Sequence, residues 1–161
     1  MAFIEYRREC WASVWPGVER LARMHFDLDN PSGSPKHGRF DLDVEQFELL
    51  DSSGAWRVFT ARVNGALVGY STWTVLRDLE VRGLLVAEQG PLFIEPGRGA
   101  SGSTLYTLAL RALRDEGVEI VYPYHRLAGR GPRLGRTLFN RRLHALPIKT
   151  GYELELCHAV D

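Results

Sequence analysis

Residues 84–117 read LLVAEQGPLFIEPGRGASGSTLYTLALRALRDEG, and this stretch decides the architecture. Leu84 to Ile94 is an apolar run of strand character. Pro96-Gly97-Arg98-Gly99-Ala100-Ser101-Gly102-Ser103-Thr104 follows as a glycine-rich turn. Leu105, Leu108, Ala109, Ala112 and Leu113 then recur at the spacing of one helix face, and Gly117 is a helix stop. A strand, a glycine turn and a helix in this order leave the amides of the turn uncovered beside the positive end of the helix. Together they form a cradle suited to a phosphate or pyrophosphate. Ser103 or Thr104 could cap the helix or add a hydroxyl to the same anion. The turn has no Lys-Ser/Thr of a P-loop, and neither its spacing nor its surroundings fit a dinucleotide fingerprint. A turn needed only for a tight connection would look the same.

Upstream, Trp56 to Val63 and Leu67 to Leu76 are rich in aromatic and β-branched residues, and Asn64-Gly65 between them is a hairpin signal. Arg77-Asp78-Leu79-Glu80 turns the chain into the strand at Leu84. Three strands in series exclude a strictly alternating parallel design. Before them, Trp11, Val14, Trp15, Val18, Leu21, Ala22 and His25 form one helical stripe, which Pro16 either starts or kinks. Asn30 to Arg39 reads as a loose loop. Asp43 with Gln46 forms a capping box that opens a short helix with Val44, Phe47 and Leu50 inward, closed by Asp51-Ser52-Ser53-Gly54. A short strand at Phe3 to Tyr6 could come first. Downstream, Val118 to Tyr124 reads as a strand and Pro132 to Leu143 as a short helix on Leu134, Leu138 and Phe139. Tyr152 to Val160 alternates as a half-exposed final strand. The prediction is one α+β domain on a mixed sheet over residues 1–161.

Composition narrows the function classes. Hydrophobic residues at 45% and charged residues at 25% are ordinary globular values, which excludes disordered and fibrous classes. Twenty basic and twenty acidic side chains cancel, which disfavours a sequence-independent nucleic-acid binder. No apolar stretch reaches a membrane span, and the opening MAFIEYRREC lacks a secretory core, so a cytoplasmic protein is expected. Cys10 and Cys157 are expected to be buried free thiols, and the five histidines spell no metal site by spacing. The acid-free basic run from Arg126 to Lys149 could meet a phosphate, an acidic partner or nucleic acid, with a solvated face as the default. Trp11, Trp15, Trp56 and Trp73 read as core, or as a subunit contact in a homodimer.

The order of elements and the segment Ile94 to Leu105 resemble the GNAT superfamily of acyl-CoA N-acyltransferases, whose cofactor motif reads roughly V-x-P-x-x-R-G-x-G-x-G-x-x-L. Gly65-Ala66-Leu67-Val68-Gly69-Tyr70 and the ending Ile148-Lys149-Thr150-Gly151-Tyr152-Glu153-Leu154 are also in the family's order, and the short versions in tailed-phage genomes look closest. The resemblance implies acetyl-CoA as co-substrate and no metal. Its pyrophosphate would lie on the amides of Gly97, Arg98, Gly99, Ala100, Ser101, Gly102, Ser103 and Thr104. Its pantetheine arm would add like a strand beside Phe93 and Ile94, between splayed strands 90–94 and 118–124. It implies acyl transfer to a small-molecule or protein amine.

Within that frame Glu88 is the general-base candidate, His125 a base or acid, and Gln89 and Tyr124 substrate-orienting residues. The chain also departs from the family pattern. Its glycine turn is shorter, Ala100 takes a glycine position, and Phe139 stands near the family's acidic tyrosine. His144-Ala145-Leu146 replaces the usual Gly-Phe. These departures favour a rival reading: a GNAT-like structural or interaction protein without catalysis, such as a phage virion component with virion partners.

Overall fold

The computed structural model describes residues 2–34 and 36–123. Eight elements follow one another: β1 (Ile4–Glu9), α1 (Trp11–Asp29), α2 (Val44–Ser52), β2 (Trp56–Val63), β3 (Ala66–Arg77), β4 (Leu85–Ile94), α3 (Gly102–Asp115) and β5 (Ile120–Tyr122). They form one five-stranded mixed sheet in the order β1-β2-β3-β4-β5. The first four strands are antiparallel neighbours and β5 runs parallel to β4. The α+β class and the strand–turn–helix order are as the sequence predicts. The predicted helix over Pro132 to Leu143 and the strand over Tyr152 to Val160 lie outside the described residues, as do the arginine run, Phe139 and Cys157.

Local chemistry accounts for the elements. Asn64 (φ 49°) and Gly65 (φ 82°) take the left-handed conformations of a type I′ turn, which matches the twist of the flanking strands. Asp43 accepts a hydrogen bond from the amide of Gln46 and caps α2. Val44, Phe47 and Leu50 are its half-buried positions, as expected. The stripe of α1 buries Trp11, Val14, Val18 and Leu21, and the helix continues past His25 to Asp29. Pro16 neither starts nor ends it; the ring sits inside the helix. Cys10, expected to be buried, is an exposed free thiol just before α1, with its Sγ 3.7 Å from a carboxylate oxygen of Asp51.

β1 is longer than the predicted Phe3–Tyr6 strand. Its second half is charged, as suits a sheet edge. Glu9 accepts hydrogen bonds from Arg62 and Thr60 and pairs with Arg7. Burial pushes the Glu9 carboxyl up, but bonds from Arg62, Thr60 and Arg7 outweigh it and hold the group below its ordinary value.

The sheet separates two apolar layers. Phe59, Ala61, Val68, Trp73 and Ala87 meet Leu105, Tyr106, Ala109 and Leu113 of α3 on one face. Trp56, Val58, Tyr70 and Phe93 meet α1 on the other, with α2 packed alongside. Trp73 is fully buried, donates from Nε1 to Ser71 Oγ (3.0 Å) and packs 5.5 Å from the Tyr106 ring. Burying an aromatic of this kind contributes about 1.5–3 kcal/mol.

Two bulges set which side chains face which layer. In β3, Gly69 pairs with Ala61 and Leu67 with Arg62, so Val68 is an extra residue. In β4, Leu92 pairs with Ser71 and Gln89 with Trp73, so Gly90 and Pro91 together oppose Thr72. Across that point the alternation of β4 inverts. Ala87 and Leu92 both belong to the α3 layer, and Phe93 joins the α1 layer.

Candidate functional site

The glycine turn closes β4 and opens α3. Gly97 and Gly99 adopt φ of +78° and +77°, and a Cβ at either would meet nothing within 4 Å. Glycine is therefore needed there for backbone direction, not for space. Ser101 is the N-cap of α3, so the hydroxyl expected from Ser103 or Thr104 comes from its neighbour instead. Its Oγ accepts from the Thr104 amide and meets Ser103 Oγ at 2.9 Å. Three amides of the expected cradle are engaged within the chain: Ser101 donates to the Tyr6 hydroxyl (2.7 Å), Thr104 to Ser101 Oγ, and Leu105 to the Ser101 carbonyl. The amides of residues 97–100, Gly102 and Ser103 make no bond among the described residues.

A charge cluster stands at the mouth of the turn. Glu95 is bound by Arg20 (3.0 Å) and by Arg98 (3.0 Å), two cations against one carboxylate. The hydrogen bond from Arg20 is the largest influence holding the Glu95 carboxyl below its ordinary value, with Arg98 adding to it against some desolvation. The surplus positive charge and the free amides suit an anion of more than one charge.

β5 pairs with β4 only at Val86, Ala87 and Glu88. Beyond Glu88 the outer edge of β4 has no strand partner among the described residues, which end at residue 123. Phe93 and Ile94 lie along it, with side chains turned into the α1 and α3 layers respectively. Any bond from them to a ligand on that edge would come from the main chain. Glu88 is exposed at the last paired position, opposite Thr74 and Tyr122. Gln89 pairs with Trp73 and shares the α3 side with it; its Oε1 is buried without a partner among the described residues. Tyr124 and His125 lie outside the described residues.

On the opposite side, α1, α2 and the loop between them roof a cavity of about 210 Å³ over β3 and β4. Aromatic rings supply much of its wall, from Trp11, Phe26, Phe40 and Phe47, with Thr72 and Pro91 on the sheet side. Thr72 is 3% exposed, and its Oγ1 has no partner among the described residues. Gly90 is what makes room for it, since a Cβ there would stand 2.5 Å from Thr72 Oγ1.

His25, Asp29 and Tyr70 line the same cavity and are joined. His25 Nε2 lies 3.2 Å from Asp29 Oδ2, and its Nδ1 lies 3.2 Å from the Tyr70 hydroxyl. The ring stacks on Phe93, with centroids 4.9 Å apart and an interplanar angle of 17°. A carboxylate only accepts, so Nε2 carries the proton of the neutral ring and Nδ1 accepts from Tyr70. Burial raises the Tyr70 phenol above its ordinary value, and the charge of Asp29 adds to this. The sequence reading missed this trio. His25 counts there only as a member of the α1 stripe, and the signal was an acid one helical turn after a histidine on an inward face.

Several solved acetyltransferase structures share this architecture. An aminoglycoside acetyltransferase from an uncultured soil metagenomic sample, in complex with trehalose, superposes with a TM-score of 0.73 at 17% identity, over 96% of this chain and 97% of that one. A predicted acetyltransferase with acetyl-CoA from Clostridium acetobutylicum gives 0.66 at 13%, over 96% and 97%. Ribosomal-protein-alanine N-acetyltransferase from Brucella melitensis biovar Abortus 2308 gives 0.64 at 17%, over 96% and 99%. No protein-family model and no curated protein sequence matches the chain. The fold is that of the GNAT-type acetyltransferases.

Proposed function

We propose that the protein is an N-acyltransferase that uses acetyl-CoA to acylate an amine. The observation that carries this reading is the set of amides at residues 97–100, 102 and 103, at the end of β4, that make no bond among the described residues. These amides would hold the pyrophosphate, supported by Arg20 and Arg98. The β4 edge along Phe93 and Ile94 would bond the pantetheine arm, and Gln89 Oε1, an orphaned buried acceptor, suits an amide N–H of that arm. The solved acetyltransferase with acetyl-CoA has the same fold, which supports the assignment.

Acetyl-CoA supplies a thioester whose carbonyl carbon is the electrophile. Glu88, exposed at the last described pair of β4 and β5, is the base that takes a proton from the attacking amine. Main-chain amides beyond Glu88 would polarise the carbonyl. His125 and Tyr124 follow directly after the described end of the chain past β5, and belong to the same proposal as acid–base and orienting residues.

Thermal unfolding with and without acetyl-CoA tests the reading, because a ligand bound only by the folded state raises Tm. A rise that saturates with concentration supports it. No rise at millimolar acetyl-CoA would overturn it.

A further inference from the structure

Resting on that reading, we infer that the cavity beneath α1 and α2 takes a primary arylalkylamine, and that Tyr70, His25 and Asp29 strip the proton from its ammonium group before acyl transfer. Size comes first. An apolar cavity of roughly 150 Å³ accommodates a benzene ring. The 210 Å³ here leaves room for a ring and a short aminoalkyl arm. Phe26, Phe40, Phe47 and Trp11 line it and supply aromatic contact for an aromatic body. Among the described residues Asp29 is the only carboxylate in the wall and Lys36 the only lysine or arginine, so a polycation would find a single counter-charge from them.

The polar groups identify the amine end. Thr72 Oγ1 is buried and has no partner among the described residues, on the same strand face as Tyr70 and two residues along. A ligand amine placed against these two hydroxyls lies beside the Gly90–Pro91 bulge, where β4 has no outer strand partner among the described residues. The hydroxyl of Tyr70 donates to His25 Nδ1 and keeps a lone pair for a ligand N–H.

An arylalkylamine arrives as R–NH3⁺, since its ordinary pKa is near that of a lysine, about 10. Two protons must leave before the amide is formed. The first passes to the Tyr70 oxygen as the Tyr70 proton moves to His25 Nδ1. Asp29 steadies the resulting imidazolium, and water at the half-exposed Asp29 carries the proton off. The C–N bond then forms, Glu88 takes the second proton, the C–S bond breaks, and the coenzyme leaves as a thiol with a proton in return. Tyr70 is thus a catalytic residue, and His25 and Asp29 act through it. The other titratable group lining the cavity is Lys36.

The test uses 2-phenylethylamine as probe, with intrinsic tryptophan fluorescence reporting binding at Trp11 and a thiol-release assay reporting turnover. The expected result is saturable binding without coenzyme, acetylation of 2-phenylethylamine, and no acetylation of an aminoglycoside or of a peptide with N-terminal alanine. Tyr70→Phe and Asp29→Asn should bind the probe more weakly but saturably, and at saturation lose about 10²-fold in kcat near neutral pH. That loss should be recovered as pH approaches the amine's own pKa, about 10. Absent probe binding in a protein whose Tm acetyl-CoA still raises would overturn the substrate class alone. Absence of both responses would fell the acyltransferase reading beneath it. A kcat unchanged in Tyr70→Phe, or a loss that high pH does not recover, would overturn the relay.

Discussion

Valine at position 99 asks the glycine turn to choose between its shape and its stability. Gly99 sits at φ +77° with nothing within 4 Å of a would-be Cβ, so the new side chain meets no clash. The whole cost is conformational, about 1–2 kcal/mol for an L-residue held in the left-handed region. The turn is exposed and can escape most of that cost by rotating to negative φ, which swings the neighbouring amides away from the anion. Gly54→Val is the control: φ is +71°, a Cβ again meets nothing, and the residue lies between α2 and β2. Both variants should lower Tm, by at most ~4–8 °C at roughly 2–4 °C per kcal/mol for a chain of this size. Acetyl-CoA at a hundredfold excess over its Kd stabilises by about 2.7 kcal/mol. A tenfold loss of affinity halves that to about 1.4 kcal/mol, so the ligand-induced shift of Gly99→Val should be about half that of the parent or less. Gly54→Val should keep the full shift. Differential scanning fluorimetry over a range of acetyl-CoA concentrations reads both quantities. Equal ligand shifts in the parent, Gly99→Val and Gly97→Val would refute the cradle.

Three further outcomes are expected. Glu88→Gln should cut kcat by about 10²-fold or more while leaving the acetyl-CoA thermal shift intact; an unchanged rate in the thiol-release assay dismisses Glu88 as the base. Gly69→Ala should cost about 1–3 kcal/mol in urea unfolding, because its Cβ would stand 2.9 Å from the Phe93 carbonyl, 3.3 Å from Ala61 Cβ, and against Ile94; a neutral result would contradict the close approach of β3 and β4. The folded pKa of Glu9 is depressed, so its contribution to stability is present above the ordinary value of 4.5 and is lost as pH falls through the lowered one. The urea midpoint difference between the parent and Glu9→Gln should therefore shrink on acidification, and a difference that stays constant from pH 7 to about 3 would refute that linkage.

Signals contained within a short window were legible in the sequence. Asn64-Gly65, the Asp43 cap and the apolar spacing of α3 each act over a few residues, and each element lies where that chemistry puts it. β1 was half hidden because Arg7, Arg8 and Glu9 look like loop until Arg62 and Thr60 of the neighbouring strand bind Glu9, and Glu116 of the distant α3 end pairs with Arg8. The cradle was readable as glycines but not as an inventory of amides: Tyr6, far away in sequence, takes the one at Ser101. The trio of His25, Asp29 and Tyr70 joins a helix to a strand across 45 residues, a link made only by packing α1 onto the sheet. The inversion of β4 depends on a pairing register that no single strand records.

That inversion behaves like a reading frame. With Gly90 and Pro91 sharing one place, residues 92–94 are shifted by one step against residues 85–89. Pairing Gly90 and Pro91 singly, as in a regular ribbon of unchanged length, would exchange Leu92 with Phe93. The aliphatic chain would then point at α1 and the ring at α3, and the imidazole of His25 would lose the surface on which it lies flat. The bulge, as much as the composition of β4, decides which layer each of residues 92–94 joins.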